Sequence, residues 1–265
     1  MGGFHVEPRE LIGLIGTLRA PRFVDVRRHE VFKACNRILP GGRWRDHREA
    51  ARWAAEVPAG AEVVVYCVHG HNVSQMAAAL LRNRGVNARA LAGGIEAWTA
   101  AGGPTVRKFD APNGWITRER PKIDRIACPW FIRRFVDPDA PILFVAADQV
   151  AAVAEETGAV PFDIPGADFS HDGERCSFDA FLDRFGIEDG ALRDLALIIR
   201  GADTGRLDLA PECAGLLAAS LGISALTEDD HEALALGFVL YDALYAWRRH
   251  AVAETHGWPP AGAAR

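Results

Sequence analysis

The stretch AEVVVYCVHGHNVSQMAAALL, residues Ala61–Leu81, decides the fold of the first half of the chain. A valine-rich run ends at Cys67, a turn rich in Gly, His and Asn follows, and an Ala/Leu-rich segment then begins a helix. A strand, a tight turn and a helix in this order hold one side chain at the rim of a parallel sheet. Here that side chain is a thiol. Turn amides and the positive end of the helix favour an anion, and so they favour a thiolate.

A free cysteine is more often a small core residue than a reactive group. A core cysteine, however, has no need of the His-Gly-His-Asn turn that follows Cys67. We therefore interpret Cys67 as a reactive thiol.

Composition limits the class of protein. The chain has 265 residues, of which 49% are hydrophobic and 25% charged, as in soluble globular proteins with one large or two ordinary domains. No apolar run approaches the roughly 18–20 residues that a membrane span needs, and the N-terminus lacks the pattern of a signal peptide. The five cysteines are odd in number and widely spaced, which argues against a disulfide framework. We expect a cytoplasmic protein without membrane insertion.

Charge is divided unevenly between the two halves. Residues 1–110 carry 16 Lys/Arg against 10 Asp/Glu, whereas residues 111–265 carry 14 against 25. A mildly basic first half suits a small anionic substrate. An acidic second half argues against broad nucleic-acid binding, which needs a surface that neutralises phosphates.

Strands and helices alternate over the first 110 residues, which predicts an α/β domain with a parallel sheet. The predicted elements are a helix at Glu7–Leu18, a strand at Arg22–Arg27, a helix at Asp46–Glu56 capped by Asp46, the strand before Cys67, a helix to Arg84, a strand at Asn87–Leu91 and a short helix at Gly93–Trp98.

The Gly/Pro-rich stretch Ala101–Gly114 predicts a linker between two domains. We place the domains at residues 1–108 and 115–265, with the linker proper at 109–114. The second half reads as mainly helical with a little sheet. Its predicted elements are a helix from Ile123 to before Asp137, interrupted or kinked at Pro129, a strand at Ile142–Val145, and helices at Asp148–Glu156, Ser177–Phe185, Ala191–Arg200, Pro211–Leu221 and Glu228–Arg248.

Four motifs of the first half together resemble the rhodanese (sulfurtransferase) family. They are DVR at Asp25–Arg27, ILPGG at Ile38–Gly42, VVVYC before the turn, and LAGGIEAW at Leu91–Trp98. The resemblance implies that Cys67 accepts a sulfane sulfur as a persulfide and passes it to a nucleophile, without a cofactor. It also implies that Asp25 and Arg27 support the site. The turn that would hold the anionic sulfur comprises Val68, His69, Gly70, His71, Asn72, Val73 and Ser74.

The turn departs from the usual rhodanese pattern. If Ser74-Gln75 opens the helix, the turn is one residue longer than usual and is similar to that of rhodanese-fold phosphatases and arsenate reductases. Those enzymes place Arg six residues after the Cys to clamp phosphate. Val73 occupies that position here, which argues against phosphatase activity. His69 and His71 are either donors to a bound oxyanion, chromate included, or simple polar turn residues.

The second half resembles the C-terminal domain of the chromate-resistance protein family. The resemblance covers residues 115–250. It rests on the segments Thr117–Pro138, Pro161–Phe178, Ile198–Thr204 and Asp229–Trp247.

Two kinds of site are candidates in this half. A mixed N/O/S set of metal ligands would suit iron, zinc or manganese, although Asp230 may equally belong to a helix cap and Cys176 to the core. An oxyanion clamp of arginines would suit chromate or sulfate, although ion pairs with the acidic residues of this half are the simpler role for them. Cys128 is either a redox-active thiol or a small apolar residue. The metal candidates are His171, Cys176, Asp230 and His231, with Asp203 and Asp242 nearby in the motifs, and the clamp candidates are Arg118, Arg120, Arg125 and Arg134.

Three function classes follow. The first is a sulfurtransferase that takes sulfur from a small anionic donor such as thiosulfate and passes it to a thiol or cyanide-type acceptor, in connection with chromate resistance. The second is a sensor that binds chromate, another oxyanion or a metal without turnover. The third is a regulatory partner of a transporter or repressor. We expect the first. The sequence sets neither the oligomeric state nor the physiological donor and acceptor.

Overall fold

A five-stranded, fully parallel sheet organises the first half of the chain in the computed structural model, which describes residues 3–254. The first half contains six strands, which in chain order are β1 (His5–Val6), β2 (Arg22–Asp25), β3 (Arg37–Ile38), β4 (Arg43–Trp44), β5 (Glu62–Tyr66) and β6 (Asn87–Leu91). All of them except β3 form the five-stranded sheet, in the order β1-β6-β5-β2-β4, and β5 lies at its centre.

Successive side chains of a strand point to opposite faces, and the valines of β5 therefore enter two different cores. Val63 and Val65 pack on the face covered by the central helices, together with Cys67. Val64 and Tyr66 pack on the opposite face. The helices of this half are α1 (Pro8–Ile12), α2 (His29–Ala34), α3 (Ala50–Trp53), α4 (Asn72–Arg82) and α5 (Gly94–Ala100).

Two predicted helices are shorter than their sequence patterns suggest. The helix predicted at Glu7–Leu18 ends at Ile12, and a series of turns follows it. The helix predicted at Asp46–Glu56 divides into 3₁₀ turns on either side of α3, although Asp46 does cap it by accepting a hydrogen bond from the amide of Arg48. The periodicity of apolar residues identified the buried face in both places but not the hydrogen-bonding pattern.

A second, three-stranded parallel sheet lies in the other half. The strand β7 (Val106–Arg107) pairs antiparallel with β3, so the chain around the predicted linker is partly ordered as strand. The second sheet comprises β8 (Trp115–Arg118), β9 (Ile142–Val145) and β10 (Val160–Pro161), in the order β10-β8-β9.

Helices make up most of the second half. The helix α6 passes through Pro129 without a break and continues as a π-helical turn over Ile132–Val136. The predicted interruption at Pro129 is therefore wrong, and the wider turn begins three residues later. The helices are α6 (Asp124–Phe131), α7 (Val150–Thr157), α8 (Ser177–Phe185), α9 (Gly190–Asp203), α10 (Cys213–Leu226) and α11 (Asp230–His250).

The two halves share one apolar core. Val64 and Trp98 of the first half belong to the same buried cluster as Trp115, Phe131 and Phe185 of the second. Phe109, within the predicted linker, stacks on Trp115 with ring centroids 5.3 Å apart. The linker is therefore part of the core rather than a free tether.

Polar contacts also cross between the halves. The Arg37 guanidinium donates to the carbonyl of Gly186 at 2.6 Å, and the amide of Gly41 donates to the carbonyl of Phe135 at 2.8 Å. The predicted architecture is confirmed: an α/β domain with a parallel sheet precedes a mainly helical domain with a little sheet. Among residues 3–254, no helix combines the length and apolarity that crossing a bilayer requires.

Candidate functional site

Cys67 lies at the carboxyl edge of the first sheet, one residue beyond the end of β5. The neighbouring strand β2 is in register with β5, and the amide of Val26 donates to the carbonyl of Tyr66 at 2.9 Å. The Cys67 side chain is only 6% exposed and packs on the core face that α4 covers. The strand–turn–helix pattern predicted this position.

The thiol has two polar neighbours from its own loop. The Cys67 Sγ lies 3.6 Å from the carbonyl oxygen of His71 and 3.3 Å from the Ser74 Oγ. The Ser74 hydroxyl, fully buried, donates to that same carbonyl at 3.0 Å. A thiol donates to these oxygens, whereas a thiolate accepts from the Ser74 hydroxyl once the hydroxyl rotates.

The backbone of the loop leaves its donors free. The main-chain N–H groups of residues 68–73 donate to no residue that the structure describes. The carbonyls of Cys67 and Val68, by contrast, accept from the amides of Ile95 and Glu96 at the start of α5, at 2.9 and 3.3 Å. Unpaired amides near a helix N-terminus form an anion-binding concavity.

Two glycines permit this tight arrangement. Gly70 has φ +72°, and a Cβ there would lie 2.5 Å from the carbonyl oxygen of Leu91. A Cβ on Gly94 would lie 2.3 Å from the carbonyl oxygen of Val68. The second glycine of the LAGGIEAW motif, Gly94, is thus a backbone requirement of the thiol loop.

The expectation that Ser74-Gln75 opens the helix is wrong. The helix α4 begins at Asn72, with His71 as its N-cap, because Gly70 turns the chain within the loop. The hypothesis that the loop accommodates larger oxyanions, chromate included, stays a prediction. Val73, the second residue of α4, packs against the core on that face of the sheet.

The two histidines of the loop differ in their contacts. The Nδ1 of His69 lies 2.9 Å from the Glu96 Oε2, and both side chains are well exposed. The carbonyl oxygen of His71 contacts the Cys67 thiol, as described above. His71 as a whole is exposed to solvent. The simple polar-turn role is the one that these contacts support.

Asp25 and Arg27 form a buried ion pair beside this edge. The Arg27 guanidinium donates to Asp25 at 2.6 Å, and the two side chains are 2% and 0% exposed. Arg27 also donates to the carbonyl of Arg37, and its own carbonyl accepts from the Trp44 indole. The pair thereby ties β2 to the segments around β3 and β4.

The arginine clamp predicted for the second half is not assembled. Arg118 and Arg125 both contact Asp163, at 2.6 and 3.2 Å. Arg134 pairs with Asp242 at 2.8 Å, and Arg120 donates to the carbonyl of Ser224. The simpler prediction was that these arginines form ion pairs with acidic residues. The structure shows such pairs for Arg118, Arg125 and Arg134.

A second constellation surrounds His171. Its Nε2 lies 3.2 Å from the Asp124 Oδ2, 3.3 Å from the Asp163 Oδ1 and 3.3 Å from the Asp203 Oδ2. We call these four residues the His171 cluster. Asp124 begins α6, Asp203 ends α9, and Asp163 and His171 lie in the irregular segment between β10 and α8.

Charge and burial perturb the cluster. Hydrogen bonding to Asp124 raises the pKa of His171 to about 9. Burial, together with the charge of Asp124, raises the pKa of Asp203 to about 8. Burial also raises the pKa of Asp163. Perturbed groups held close together are typical of functional sites and also of structural networks.

The other metal candidates lie elsewhere. The Asp230 Oδ1 accepts from the amide of Arg120, and His231 packs on the Phe144 ring. The Cys176 Sγ lies 3.7 Å from the Asp179 Oδ2, and burial raises the pKa of this thiol. Cys128 is fully buried, and burial likewise raises the pKa of its thiol, which fits a core residue.

Sequence reasoning missed Asp124 and Asp163 as partners of His171. Asp124 follows the KI of the RPKIDR segment, and Asp163 is the Asp of PFDIPG, so both belonged to the quoted motifs. Asp163 has φ +54° and Ile123, beside Asp124, has φ +41°, which the sequence does not signal.

Comparisons with known proteins match both halves. The model of the family described as "ChrB, C-terminal domain" matches residues 115–248, and that of the "Rhodanese-like domain" matches residues 7–101. Protein ChrB of Cupriavidus metallidurans is 39% identical over 133 residues, which are 49% of this chain and 39% of that protein. The chain therefore spans well under half the length of this relative.

Solved structures of rhodanese-like proteins are similar to part of the chain. A rhodanese-related protein from Thermoplasma volcanium is 23% identical, with a TM-score of 0.35, and the match covers 39% of this chain and 98% of that one. The rhodanese-like domain of an Anabaena protein is 22% identical, with a TM-score of 0.35, covering 39% and 79%.

Proposed function

Because the chain belongs to the family of the ChrB C-terminal domain and carries a rhodanese-like domain before it, we propose that it is a sulfurtransferase linked to chromate resistance. Sulfane sulfur moves through a persulfide on Cys67. The observation that carries the proposal is the loop of six unpaired amides, residues 68–73, beside a thiol held at the sheet edge.

The first step forms the persulfide. The Cys67 thiolate attacks the outer sulfur of thiosulfate, the sulfur–sulfur bond of the donor breaks, and sulfite leaves with its electron pair. The product is Cys67–S–S⁻. Its terminal sulfur carries the negative charge, and the N–H groups of the loop are the donors available to stabilise it.

The second step transfers the outer sulfur. A nucleophile attacks the terminal sulfur, the persulfide bond breaks, and the Cys67 thiolate is regenerated. With cyanide the product is thiocyanate, and with a thiol it is a new persulfide. The Ser74 hydroxyl, whose oxygen lies 3.3 Å from the Cys67 Sγ, donates a hydrogen bond to the regenerated thiolate.

The loop selects this chemistry over phosphoryl transfer. Val73 lies where rhodanese-fold phosphatases would need a guanidinium, and its side chain packs on apolar residues. The loop thus offers main-chain donors without a side-chain clamp. That set suits a sulfur anion with one localised charge better than a phosphoryl group with three charged oxygens.

The test is thiosulfate–cyanide turnover with full-length protein, combined with mass spectrometry of the intact chain after thiosulfate alone. Wild-type protein gains one sulfur atom on Cys67 and forms thiocyanate. Cys67→Ser loses both. Cys213→Ser, which changes a buried thiol of α10, is the matched control and keeps both. Turnover that survives in Cys67→Ser would overturn the assignment.

A further inference from the structure

The His171 cluster presents four side chains of metal-ligand type from three separate segments. The candidate ligand atoms of Asp124, Asp163 and His171 all lie within 4.8 Å of one another. Atoms bound to one ion at about 2.0–2.2 Å lie roughly 3–4 Å apart, so small movements suffice to bring these atoms around a cation.

Hydrogen bonding leaves part of the cluster unsatisfied. The Nε2 of an imidazole carries at most one hydrogen, yet three carboxylates lie within 3.3 Å of it. Of the three contacts, the one with Asp124 has the geometry of a hydrogen bond. Among residues 3–254, no amide, hydroxyl or guanidinium donates to the Asp124 Oδ1 or to either carboxylate oxygen of Asp203.

Burial makes the small number of hydrogen-bond donors near Asp124 and Asp203 costly in free energy. The Asp124 side chain is only 3% exposed, and the Asp203 side chain is 14% exposed. Gathering carboxylates in such a place is costly unless a cation or a shared proton meets them. The Oδ2 of Asp124, the Oδ1 of Asp163 and the Oδ2 of Asp203 all face the same imidazole nitrogen, and this convergence points to a cation.

The neighbouring guanidinium groups contact carboxylate oxygens other than those that face His171. Arg118 and Arg125 contact the Oδ2 of Asp163, the oxygen opposite to the one that faces His171. Arg200, on the same helix as Asp203, pairs with Asp179. Asp203 is the last residue of α9, where the helix dipole is negative and further disfavours a carboxylate.

We propose that Asp124, Asp163, His171 and Asp203 bind a divalent metal ion. Three carboxylate oxygens and one imidazole nitrogen suit a hard or borderline ion, such as Mn²⁺, Fe²⁺ or Zn²⁺, and disfavour Cu(I). Ser177 positions two of the ligands, because its amide donates to Asp124 and its hydroxyl donates to Asp163 at 2.8 Å. This site is independent of the proposed sulfur transfer at Cys67.

The first experiment titrates full-length protein with Mn²⁺ alone and follows free Mn²⁺ by electron paramagnetic resonance. Wild-type protein binds one ion per chain, and Zn²⁺ displaces it. His171→Asn and Asp203→Asn each weaken binding at least tenfold. His231→Asn is the matched control in the same half, and its affinity equals that of wild type.

Two results would overturn the site. One is a wild-type protein that leaves Mn²⁺ free at millimolar concentration. The other is binding that His171→Asn and Asp203→Asn both leave unchanged.

Thermal unfolding gives a second readout, in which stability and binding move in opposite directions. Without metal, Asp203→Asn melts at or above the temperature of wild type, because the substitution removes a carboxylate that lacks a donor. Added Mn²⁺ raises the melting temperature of wild type and not that of Asp203→Asn. A variant that Mn²⁺ stabilises as much as wild type would contradict the proposal, whatever its own melting temperature.

Discussion

The thiol loop and the His171 cluster are built in opposite ways. The loop is one contiguous segment, residues 67–74, whose donors are mainly backbone amides. The His171 cluster joins four side chains separated by as many as 79 positions along the chain, from Asp124 to Asp203. A contiguous site depends on the conformation of one short segment, whereas a dispersed site depends on the packing of a whole domain.

The difference also concerns charge. The Cys67 loop is lined by backbone amide donors and one thiol, a set that suits an anion. The His171 cluster is lined by carboxylate acceptors, a set that suits a cation. Two sites of opposite preference thus lie in halves that share one core. The balance of charge in the sequence, basic in the first half and acidic in the second, matches this division.

Asp163→Ala should produce the largest effect, because it removes one charge of a dispersed network. Asp163 is 3% exposed and meets Arg118, Arg125 and Ser177. Breaking a buried ion pair leaves its partners uncompensated, and we expect a loss of about 3 kcal/mol in the free energy of unfolding. Urea denaturation in the presence of a chelator measures it.

Asp139→Ala is the matched control for that substitution. Asp139 pairs with Arg22 across the two halves, but both side chains are about half exposed. An exposed pair of this kind contributes roughly 0–1 kcal/mol. Equal losses in the two variants would show that the cluster is not a buried network.

Gly70→Ala should disable the contiguous site without disturbing the dispersed one. The added Cβ would lie 2.5 Å from the Leu91 carbonyl at a backbone φ of +72°. The loop must move, and displacing a catalytic group by about 1 Å costs on the order of a hundredfold in rate. We expect that loss in thiosulfate–cyanide turnover, with Mn²⁺ affinity unchanged.

Gly102→Ala controls for backbone strain alone. Gly102 has a similar φ of +77°, but its Cβ would meet no atom within 4 Å. We expect it to cost about 1–2 kcal/mol of stability and to keep full turnover per folded molecule. A similar loss of turnover in both variants would remove the special role of the loop.

Lys108→Met should give the smallest effect, at a second thiol of the first half. Burial acts to raise the pKa of Cys35, but its contact with the backbone of Arg37 and the positive charges of Arg27 and Lys108 outweigh burial and lower the pKa below the usual value. Removing the Lys108 charge should therefore raise that pKa. We expect alkylation of Cys35 by iodoacetamide near pH 7.5 to slow roughly twofold.

Mass spectrometry of the Cys35 peptide measures this rate across a pH series. Lys33→Met, which removes an exposed charge from α2 two residues away, is the control and should leave the alkylation profile unchanged. An unchanged alkylation profile in Lys108→Met would show that the charge of Lys108 does not lower the pKa of Cys35.

Much of the thiol site could be predicted from the sequence. The β-branched run, the Gly-containing turn and the following helix are local signals, and Cys67 lies at their junction. The start of the helix was predicted wrongly, because the positive φ of Gly70 lets the helix begin at Asn72 rather than at Ser74. The pairing of Gly94 with the Val68 carbonyl also depends on contacts between segments that lie far apart in sequence.

The second site could not be predicted as a unit. His171 and Asp203 were recognised as ligand-type residues, but Asp230 and His231, equally plausible in composition, lie on α11 against other partners. Four short-range motifs without diagnostic spacing fit several combinations of ligands. Only the packing of α6, α9 and the segment before α8 selects one of them.

The sequence by itself determined the alternation of strands and helices, the position of Cys67 at the edge of the sheet and the resemblance to two families, because these depend on local patterns. The tertiary structure decided which charges meet. It paired Arg118, Arg125 and Arg134 with carboxylates instead of forming a clamp, and it brought three carboxylates to one imidazole nitrogen. The physical reason is that burial makes an unpaired charge costly, and the partner that relieves this cost is chosen by folding rather than by distance along the chain.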